Sequence, residues 1–489
     1  MQFDPDLKAR LLFQLNEILP AECILTAEED LRPYECDGLT AYRRVPLAVV
    51  LPVTTEQVQQ VVQTCARMNI PVVARGAGTG LSGGALPEEN GIILGLSRLN
   101  KILEVDTDNL IARVQPGVRN LAISQAVDKH GLFYAPDPSS QIACSIGGNV
   151  AENSGGVHCL KYGLTVHNIQ QIRLVTIDGE LVTIGTETLD NPGYDLLALL
   201  TGSEGMLGIV VEVTVKLTVK PQTVQVLMAD FPEVVAAGEA VAAIISSGII
   251  PAGLEMMDNP AIRAAEAFAK AGYPVDAAAI LLCELDGTET EVAEQAASVS
   301  AILQRHGASN IHTATTASER AKLWAGRKSA FPAVGRISPD YYCMDGTIPR
   351  KHLAHVLQKI NDFSEQYGLR VANVFHAGDG NLHPLILYDA NRPGELEKAE
   401  QFGADILALC VRVGGSITGE HGVGHEKIDS MCVQFAEPAL EMFHAIKRAF
   451  DPAELLNPGK AVPTLHRCAE LGAMHVHRGQ LSHPELPRF

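Results

Sequence analysis

Two histidines bracket a strong turn signal in the second half of the chain. His376 and His383 lie seven positions apart in the segment NVFHAGDGNLHPLIL, residues 373–387. That spacing separates two side chains by about 10 Å along a continuous helix and turns them to opposite faces of a straight strand. The tetrapeptide GDGN between two apolar runs instead predicts a hairpin. A hairpin brings both imidazoles to its base, where both can bind one metal ion.

A second glycine-bracketed segment supplies a carboxylate and another imidazole. Glu420 and His421 are neighbours in GGSITGEHGVGHEK, residues 414–427. In an extended strand they would diverge, whereas a glycine-flanked turn lets both face one cavity. Two histidines and one carboxylate form a common ligand set for a catalytic divalent metal. We therefore predict that His376, His383 and Glu420 bind Zn²⁺, Mn²⁺ or Fe²⁺, and that His421 acts beside the ion as an acid or base.

A cation suited to a carboxylate ligand lies in WAGRKSAF, residues 324–331. Arg327 and Lys328 stand next to apolar residues in this segment. A guanidinium on the wall of a pocket can bind a carboxylate through two parallel hydrogen bonds. The spacing leaves a second interpretation open, in which the two residues are an exposed basic pair on a helix.

Glycine-rich segments in the first half predict a site for a large, flat, phosphate-bearing ligand. The segment at 136–163, PDPSSQIACSIGGNVAENSGGVHCLKYG, is too long and too polar for a hairpin turn. Glycines let the backbone approach a bulky ligand, and exposed N–H groups in such turns bind anionic oxygens. GAGTGLSGG at 76–84 formally matches the nicotinamide fingerprint G-x-G-x-x-G, but Pro87 and Asn90 interrupt the helix that this fingerprint requires. We therefore expect a strand–loop–strand setting that holds a pyrophosphate.

The elements that must position these segments fall into two domains. Short strands and repeated glycine turns predict an α+β cofactor domain over residues 42–220. Past Pro221, long alanine-rich helices with an apolar strand between them predict an α+β substrate or cap domain over 221–463. Residues 1–41 are expected to form a helical N-terminal arm, and 464–489 a flexible tail.

Composition and charge argue against several classes of protein. The formal net charge of the 489-residue chain is −19, which disfavours binding to nucleic acid or to anionic lipid. No apolar run approaches the ~18 residues of a membrane span, and the acidic start MQFDPDLKAR lacks the apolar core of a signal peptide. We therefore expect a cytoplasmic protein without direct membrane insertion. The ten cysteines form no C-x-x-C, which argues against an iron–sulfur cluster in this chain.

Six motifs in combination resemble the FAD-linked oxidases with a vanillyl-alcohol-oxidase-type (PCMH-type) flavin domain. They are RGAGTGLSGG, CSIGGNVAENSGG, TGSEGMLGI, HAGDGNLHP, GEHGVGHEK and LNPGK, and the likeness covers about residues 40–463. The branch that the chain resembles most is the FAD-binding large subunit of bacterial glycolate oxidases, with D-lactate and D-2-hydroxyglutarate dehydrogenases as relatives. The resemblance implies a PCMH-type FAD-binding domain followed by an α+β FAD-linked oxidase C-terminal domain.

The resemblance also implies which residues hold FAD. The flavin pyrophosphate would lie on Arg75, Gly76, Ala77, Gly78, Thr79, Gly80, Ser82 and Gly83. The rest of FAD would contact Pro138, Ser145, Gly148, Asn149, Asn153, Gly155, Gly163, Glu204, Gly208 and Ile209, and Asn457 of LNPGK is a further candidate. No histidine lies in the pyrophosphate loop, where some relatives tether the cofactor, so we expect non-covalent FAD.

In the dehydrogenase relatives the two histidines and the glutamate bind a metal, His421 corresponds to the base, and Arg327 corresponds to the arginine that binds the substrate carboxylate. Two departures concern the substrate. Cys343 stands where the 2-hydroxyglutarate branch has a lysine, and Phe331 stands where it has a threonine. Both changes make the pocket smaller and less cationic, which favours a short 2-hydroxy monocarboxylate such as glycolate or lactate.

The expected reaction is the oxidation of glycolate to glyoxylate. His421 takes the hydroxyl proton while a hydride passes to flavin N5, and removal of the α-proton by His421 is the alternative route. Electrons would then pass to an iron–sulfur subunit, in a complex with a second flavin subunit, and on to a quinone of the inner membrane. The alternatives are a dehydrogenase for D-lactate or another D-2-hydroxy acid that acts alone, an oxidase that uses oxygen, and a non-catalytic FAD-binding subunit.

Overall fold

The computed structural model of the chain describes residues 5–188 and 192–463. The predicted tail, residues 464–489, lies outside the described residues. No helix within the described ranges has the length and apolar composition needed to cross a bilayer.

The first lobe is built from short strands with few long helices. Its helices are α1 (Pro5–Asn16), α2 (Glu28–Leu31), α3 (Thr55–Met68), α4 (Asn120–Val127), α5 (Ile146–Glu152), α6 (Cys159–Tyr162) and α7 (Leu196–Leu200). Its strands are β1 (Ile24–Leu25), β2 (Ala48–Val50), β3 (Val72–Arg75), β4 (Ile92–Gly95), β5 (Ile102–Asp106), β6 (Ile111–Val114), β7 (Leu132–Phe133), β8 (Ile169–Val175), β9 (Leu181–Gly185), β10 (Ile209–Lys216) and β11 (Thr218–Val219).

These strands form two main sheets. One has the order β1-β2-β4-β3, in which β2 and β3 run parallel to β4, and the other is the antiparallel sheet β5-β6-β10-β8-β9. The connection from β3 to β4 contains GAGTGLSGG and no helix, so the strand–loop–strand prediction is confirmed and the nicotinamide fingerprint has no structural counterpart. The segment at 136–163 is not an irregular loop throughout, because the short helices α5 and α6 form inside it.

The second lobe is a large sheet with helices on both faces. Its elements are β12 (Thr223–Phe231), α8 (Val234–Ser246), β13 (Gly253–Asp258), α9 (Asn259–Ala269), β14 (Ala279–Gly287), α10 (Glu289–Arg305), β15 (Asn310–Ala314), α11 (Ala317–Lys328), α12 (Ala330–Val334), β16 (Asp340–Cys343), α13 (Leu353–Tyr367), β17 (Val371–His376), β18 (Asn381–Tyr388), α14 (Glu395–Arg412), α15 (Met431–Gln434) and α16 (Glu437–Phe450). The sheet is seven-stranded and antiparallel, with the order β15-β12-β14-β13-β17-β18-β16.

Alternation along β12 shows why both faces of this sheet are covered. Leu227 and Phe231 pack into one buried cluster together with residues of α8, α10, α13 and α14. Val226 and Met228 point the other way, into a second buried cluster with residues of α9, α11 and α12. A strand that is apolar on both faces must be covered on both. Together the two lobes confirm the predicted α+β fold class.

The chain crosses between the lobes at two places. In the N-terminal arm, Leu39 packs in a cluster of the second lobe, and just after the arm the Tyr42 hydroxyl donates to Glu400 at 2.7 Å. After the second lobe the chain returns, so that Leu456 lies in the core of the first lobe and forms a parallel bridge with Val72. The predicted limits 1–41 and 221–463 therefore describe stretches of chain whose ends pack against the other lobe.

Candidate active site

A cavity of about 530 Å³ lies where the two lobes meet. Its first-lobe wall includes thirteen of the predicted cofactor residues, namely Arg75, Gly76, Ala77, Gly78, Thr79, Gly80, Pro138, Ser145, Gly148, Asn149, Glu204, Gly208 and Ile209. Its second-lobe wall includes His383, Glu420 and His421 together with Lys328, Phe331 and Tyr341. Residues 75–80 and 145–149, here called the cradle, therefore face the predicted catalytic side chains across one space.

The remaining predicted cofactor residues do not line the cavity. They are Ser82, Gly83, Asn153, Gly155, Gly163 and Asn457. The Asn457 amide donates to the carbonyls of Gly84 and Glu204, and the Ser82 carbonyl accepts from the backbone N–H of His425 and of Glu426. Asn153 ends α5 in the left-handed region with φ 52°. These contacts shape loops at the cavity, and direct contact of the six residues with FAD stays a prediction.

The sequence of α5 explains how the cradle is held open. Ser145 precedes the helix, and its hydroxyl accepts from the backbone N–H of Gly148, which caps the first turn. A Cβ added at Gly148 would meet only Ser145 Oγ, at 3.3 Å, and one added at Gly80 would meet only Asp37 Oδ2, at 3.7 Å. The backbone at both glycines therefore faces free space. A wall of exposed backbone suits a flat cofactor.

The predicted hairpin brings the two histidines together. Strands β17 and β18 pair in the register Val374↔His383 and His376↔Asn381, and the imidazole rings lie 5.1 Å apart at 90°. The Nε2 atoms of His376 and His383 lie 3.2 and 3.1 Å from the same oxygen, Oε1 of Glu420. Burial disfavours the charge of Glu420, but the two histidines outweigh burial and lower its pKa well below the usual range.

His421 lies against this group on the cavity side. Its ring stacks on that of His383 with centroids 4.9 Å apart. Within the described part of the chain, His421 Nδ1 is buried and has no hydrogen-bond partner. Burial lowers the pKa of His421 to about 4, which leaves the imidazole neutral at physiological pH. A neutral imidazole with an unpartnered nitrogen is the state that a general base requires.

Asp345 organises the turn that carries Glu420 and His421, and the sequence analysis missed it. Its carboxylate accepts the backbone N–H groups of Gly419 at 3.0 Å, Glu420 at 3.2 Å and His421 at 2.9 Å. Asp345, His383, Glu420 and His421 each offer a ligand atom, and these atoms all lie within 4.8 Å of one another. With His376 they are here called the polar cluster. The one signal was the Asp-Gly pair in YYCMDGTIP, which is easily taken for an ordinary turn.

Glu255 is a second carboxylate that the sequence analysis missed. Its Oε1 lies 2.8 Å from His376 Nδ1, and its Oε2 lies 2.6 Å from Arg327 Nη2. Arg327 has 1% of its surface exposed, so the interpretation as an exposed basic pair is wrong for this residue. Arg327 and His376 both lie just behind the cavity wall, whereas Lys328 is on it.

The residues present suit both a flavin and a divalent ion. The cavity has the volume of a ligand pocket, which is typically ~300–1,000 Å³, and the cradle contributes glycines whose backbone faces free space at Gly80 and Gly148. The polar cluster offers two imidazole Nε2 atoms around a carboxylate, a donor set with open positions that catalytic divalent metals use. The ion itself remains a proposal that is taken up below.

Comparison with known proteins defines the class. A profile described as "FAD binding domain" matches residues 46–185, and one described as "FAD linked oxidases, C-terminal domain" matches residues 220–461. The chain belongs to the FAD-linked oxidases and is an FAD-dependent oxidoreductase. The resemblance inferred from the six motifs is thereby confirmed.

Particular relatives refine this assignment. The chain is similar to the glycolate oxidase subunit GlcD of Escherichia coli strain K12, with 63% identity over 99% of this chain and 97% of that protein. It is 41% identical to GlcD of Bacillus subtilis strain 168, over 87% and 91% of the two chains. It is also 32% identical to D-lactate dehydrogenase of Anaerostipes hadrus, over 92% and 96%.

Solved structures share the fold at low identity. p-Cresol methylhydroxylase with substrate bound aligns with a TM-score of 0.80 and 19% identity, covering 95% of this chain and 98% of that chain. The 4-ethylphenol oxidase of Gulosibacter chungangensis also aligns with a TM-score of 0.80, at 17% identity over 95% and 98%. Both support the PCMH-type architecture.

Proposed function

We propose that the protein oxidises glycolate to glyoxylate, with non-covalent FAD as the hydride acceptor and a divalent metal held by His376, His383 and Glu420. The observation that carries the proposal is the single cavity lined both by the cradle and by His383, Glu420 and His421. The similarity to two glycolate oxidase subunits, at 63% and 41% identity, favours glycolate as the substrate. In the reaction, two electrons and one proton leave Cα as a hydride, and the hydroxyl proton goes to His421.

His421 is the base in this proposal. It is neutral before the reaction because burial lowers its pKa to about 4. Once it has taken the hydroxyl proton, the carboxylate of Asp345, which already accepts its backbone N–H, stabilises the imidazolium. A bound divalent ion contributes by lowering the pKa of the substrate hydroxyl. Bound FAD contributes the electron-deficient ring that accepts the hydride.

The substrate carboxylate needs a cation, and helix α11 ends with two. Arg327 is the predicted residue, and its guanidinium lies beside His376 through their common partner Glu255. Lys328 is a second candidate because it lines the cavity, with its Nζ 3.7 Å from Asp137. Substituting each of them separately by methionine distinguishes the two. The substitution that removes the carboxylate-binding residue should raise KM for glycolate by about tenfold or more, as expected for the loss of a charge-assisted hydrogen bond.

Phe331 favours a small substrate. Its ring packs against His383 with centroids 6.0 Å apart and against Tyr341 with centroids 6.3 Å apart. Phe331, Tyr341 and His383 all line the cavity. Cys343, the other departure from the 2-hydroxyglutarate pattern, lies in the core and away from the cavity wall. The steric restriction therefore falls on Phe331, which leaves little room for the side chain of a larger 2-hydroxy acid.

D-Lactate is the second candidate substrate because the chain is also similar to D-lactate dehydrogenases. Anaerobic mixing of the FAD-loaded protein with a panel of D- and L-2-hydroxy acids decides between the two. Glycolate should bleach the flavin absorbance with the highest kcat/KM. In Phe331→Ala, the ratio for D-lactate over glycolate should rise about tenfold, since one methyl group is worth roughly 1–3 kcal/mol in such a pocket. A wild-type flavin that no 2-hydroxy acid reduces would contradict the proposal.

The reduced flavin must pass on two electrons. The sequence contains no C-x-x-C, and the similar glycolate oxidase proteins are named as subunits. We therefore propose a complex with an iron–sulfur subunit and a second flavin subunit, which hands electrons to a quinone at the inner membrane while this chain stays on the cytoplasmic side. Reduction of a soluble quinone by the purified chain should be much slower than by the complex, and equal rates would contradict this proposal.

A further inference from the structure

We infer that Glu255 is the positioning residue that fixes the imidazole of His376 and the guanidinium of Arg327 in one arrangement behind the active site. This inference rests on the proposed function, because it assigns Glu255 a role toward the metal and the substrate carboxylate. One carboxylate oxygen contacts His376 Nδ1 at 2.8 Å, and the other contacts Arg327 Nη2 at 2.6 Å. Among the residues that the structure describes, no other carboxylate contacts both side chains.

The sheet places Glu255 opposite His376. Strands β13 and β17 are antiparallel, with the register Met256↔Phe375 and Met257↔Val374. Continuing this register by one residue pairs Glu255 with His376. Directly opposed residues in an antiparallel pair have Cβ atoms ~4.5–5.5 Å apart, which is the separation that a carboxylate and an imidazole need to meet. Arg327 reaches the same carboxylate from the last turn of α11.

The hydrogen bond to Glu255 decides which nitrogen of His376 faces the cluster. A carboxylate only accepts, so the proton of this hydrogen bond stays on Nδ1. Nε2 then points to Glu420, whose Oε1 lies 3.2 Å away. When a metal ion binds, it displaces any proton on Nε2 and takes up the lone pair of that nitrogen. A partner behind a ligand histidine fixes the ring orientation and raises its basicity, and loss of such a partner typically costs ~10–100-fold in metal affinity.

The same carboxylate compensates a buried cation. Glu255 and Arg327 each have 1% of their surface exposed. A buried charge without a partner is strongly unfavourable, so removal of the carboxylate leaves Arg327 free to seek another anion. The result is a guanidinium whose position is no longer fixed. Glu255 therefore couples metal binding and substrate positioning through its two oxygens.

Asp258 provides a matched control on the same strand. It is buried like Glu255 and accepts from the Ala261 backbone N–H at 3.1 Å and from the Asn373 amide at 2.8 Å. Neither partner belongs to the polar cluster. Asp258→Asn therefore removes a buried charge from β13 without touching the site.

The test compares Glu255→Gln with the wild type and with Asp258→Asn, each loaded with FAD and freed of metal. Binding of Mn²⁺ alone is followed by equilibrium dialysis, and KM and kcat for glycolate are then measured on the metal-loaded proteins. In Glu255→Gln we expect Mn²⁺ affinity to fall about 10–100-fold and KM for glycolate to rise about tenfold, with an unchanged flavin spectrum. Asp258→Asn should retain wild-type values.

Two outcomes separate this inference from the proposed function. If Glu255→Gln binds Mn²⁺ and glycolate as the wild type does, the inference is overturned while the proposed function stands. If the wild type itself binds no Mn²⁺ or is not reduced by glycolate, the proposed function fails, and the inference fails with it. Should Glu255→Gln not fold, the same measurements on Glu255→Asp decide, because the shorter side chain keeps the charge but cannot span both partners; unchanged affinities there also overturn it.

Discussion

The two regions that meet at the cavity are built in different ways. The cradle presents backbone, with glycines at positions such as Gly80 and Gly148 where a Cβ would enter the cavity. The polar cluster presents side chains that come from separate strands and loops and are tied together by buried carboxylates, as in the contact of Asp345 with Glu420, 75 positions away. The cradle is formed by two short local segments, whereas the polar cluster depends on how the strands and loops of the whole second lobe pack together.

This difference predicts which variants lose chemistry and which lose the cofactor. Changes in the polar cluster should stop the reaction and leave the protein yellow. Changes in the cradle should remove the flavin and leave the cluster assembled.

The largest effect is expected from His421→Ala. Without the base, flavin reduction by glycolate should slow by about 10²–10⁴-fold, the usual contribution of a general base. The flavin-to-protein ratio should not change, because His421 lies on the opposite wall from the cradle. Stopped-flow absorbance under anaerobic conditions measures both quantities. The exposed His312, substituted by alanine, serves as the control. Normal flavin reduction in His421→Ala would exclude this residue as the base.

A smaller loss is expected from Gly148→Val, and it should concern the cofactor. The added branched side chain starts 3.3 Å from Ser145 Oγ and extends into the cavity. FAD affinity should fall by at least about tenfold, because overpacking costs roughly 1–3 kcal/mol. Fluorescence titration of the apoprotein with FAD measures it, and Mn²⁺ binding should stay at the wild-type value. Gly335→Ala, at a glycine with φ −58°, is the control. Full FAD occupancy in Gly148→Val would remove Gly148 from the cradle.

In the pH profile of kcat/KM for glycolate, the acid limb should be displaced to lower pH. Burial lowers the pKa of His421 to about 4, so the base is neutral above that pH and becomes protonated only below it. kcat/KM for glycolate should therefore stay level on acidification to about pH 5 and fall below about pH 4, instead of falling near the ordinary histidine pKa of ~6.5.

The stability of the fold should also decrease on acidification. Between the ordinary pKa of ~6.5 and the pKa of about 4 in the folded chain, His421 is protonated in the unfolded chain and neutral in the folded one. The free energy of unfolding therefore decreases as the pH is lowered through this window. An activity limb at pH 6.5 would contradict the assigned environment of His421.

The smallest loss of activity is expected from a change in the contact that joins the cradle side of the cavity to the segment carrying Glu420 and His421. The Glu204 carboxylate, on the first-lobe wall, accepts the backbone N–H groups of Val423 and Gly424, two and three residues after His421, each at 2.7 Å. Glu204→Gln keeps the size and one acceptor oxygen. The free energy of unfolding should fall by about 1–3 kcal/mol, the range for a buried group that loses its partner, and flavin reduction should slow only several-fold. Chemical denaturation measures the first. A loss of activity as large as that of His421→Ala would mean that Glu204 takes part in the chemistry.

The sequence predicts the local parts of this account well. Glycine spacing indicates the strand–loop–strand loop at 76–84, and the GDGN turn predicts the hairpin that joins His376 and His383. The roles of Glu255 and Asp345 could not be predicted, because their contacts depend on the order β13-β17-β18-β16 in the large sheet. No local sequence pattern encodes that order.

The arm illustrates how a polar residue acquires a position from tertiary structure alone. Nothing in the sequence around Asp37 suggests a cofactor site, yet Asp37 lines the cavity, and the Cys36 carbonyl beside it accepts a 2.7 Å hydrogen bond from the Arg75 guanidinium.

In the segment at 136–163 the sequence indicates the ligand site but not the local structure. Its glycines indicate a ligand wall, but they conceal the short helix α5 because glycine has poor helix propensity.

Anomalous diffraction from a crystal of the FAD-loaded protein with Mn²⁺ and glycolate tests the central claim most directly. The account predicts one strong manganese peak between His376, His383 and Glu420, with glycolate lying between that ion and the flavin ring in the shared cavity. A peak remote from these residues, or a flavin whose reactive ring faces away from His421, would contradict it.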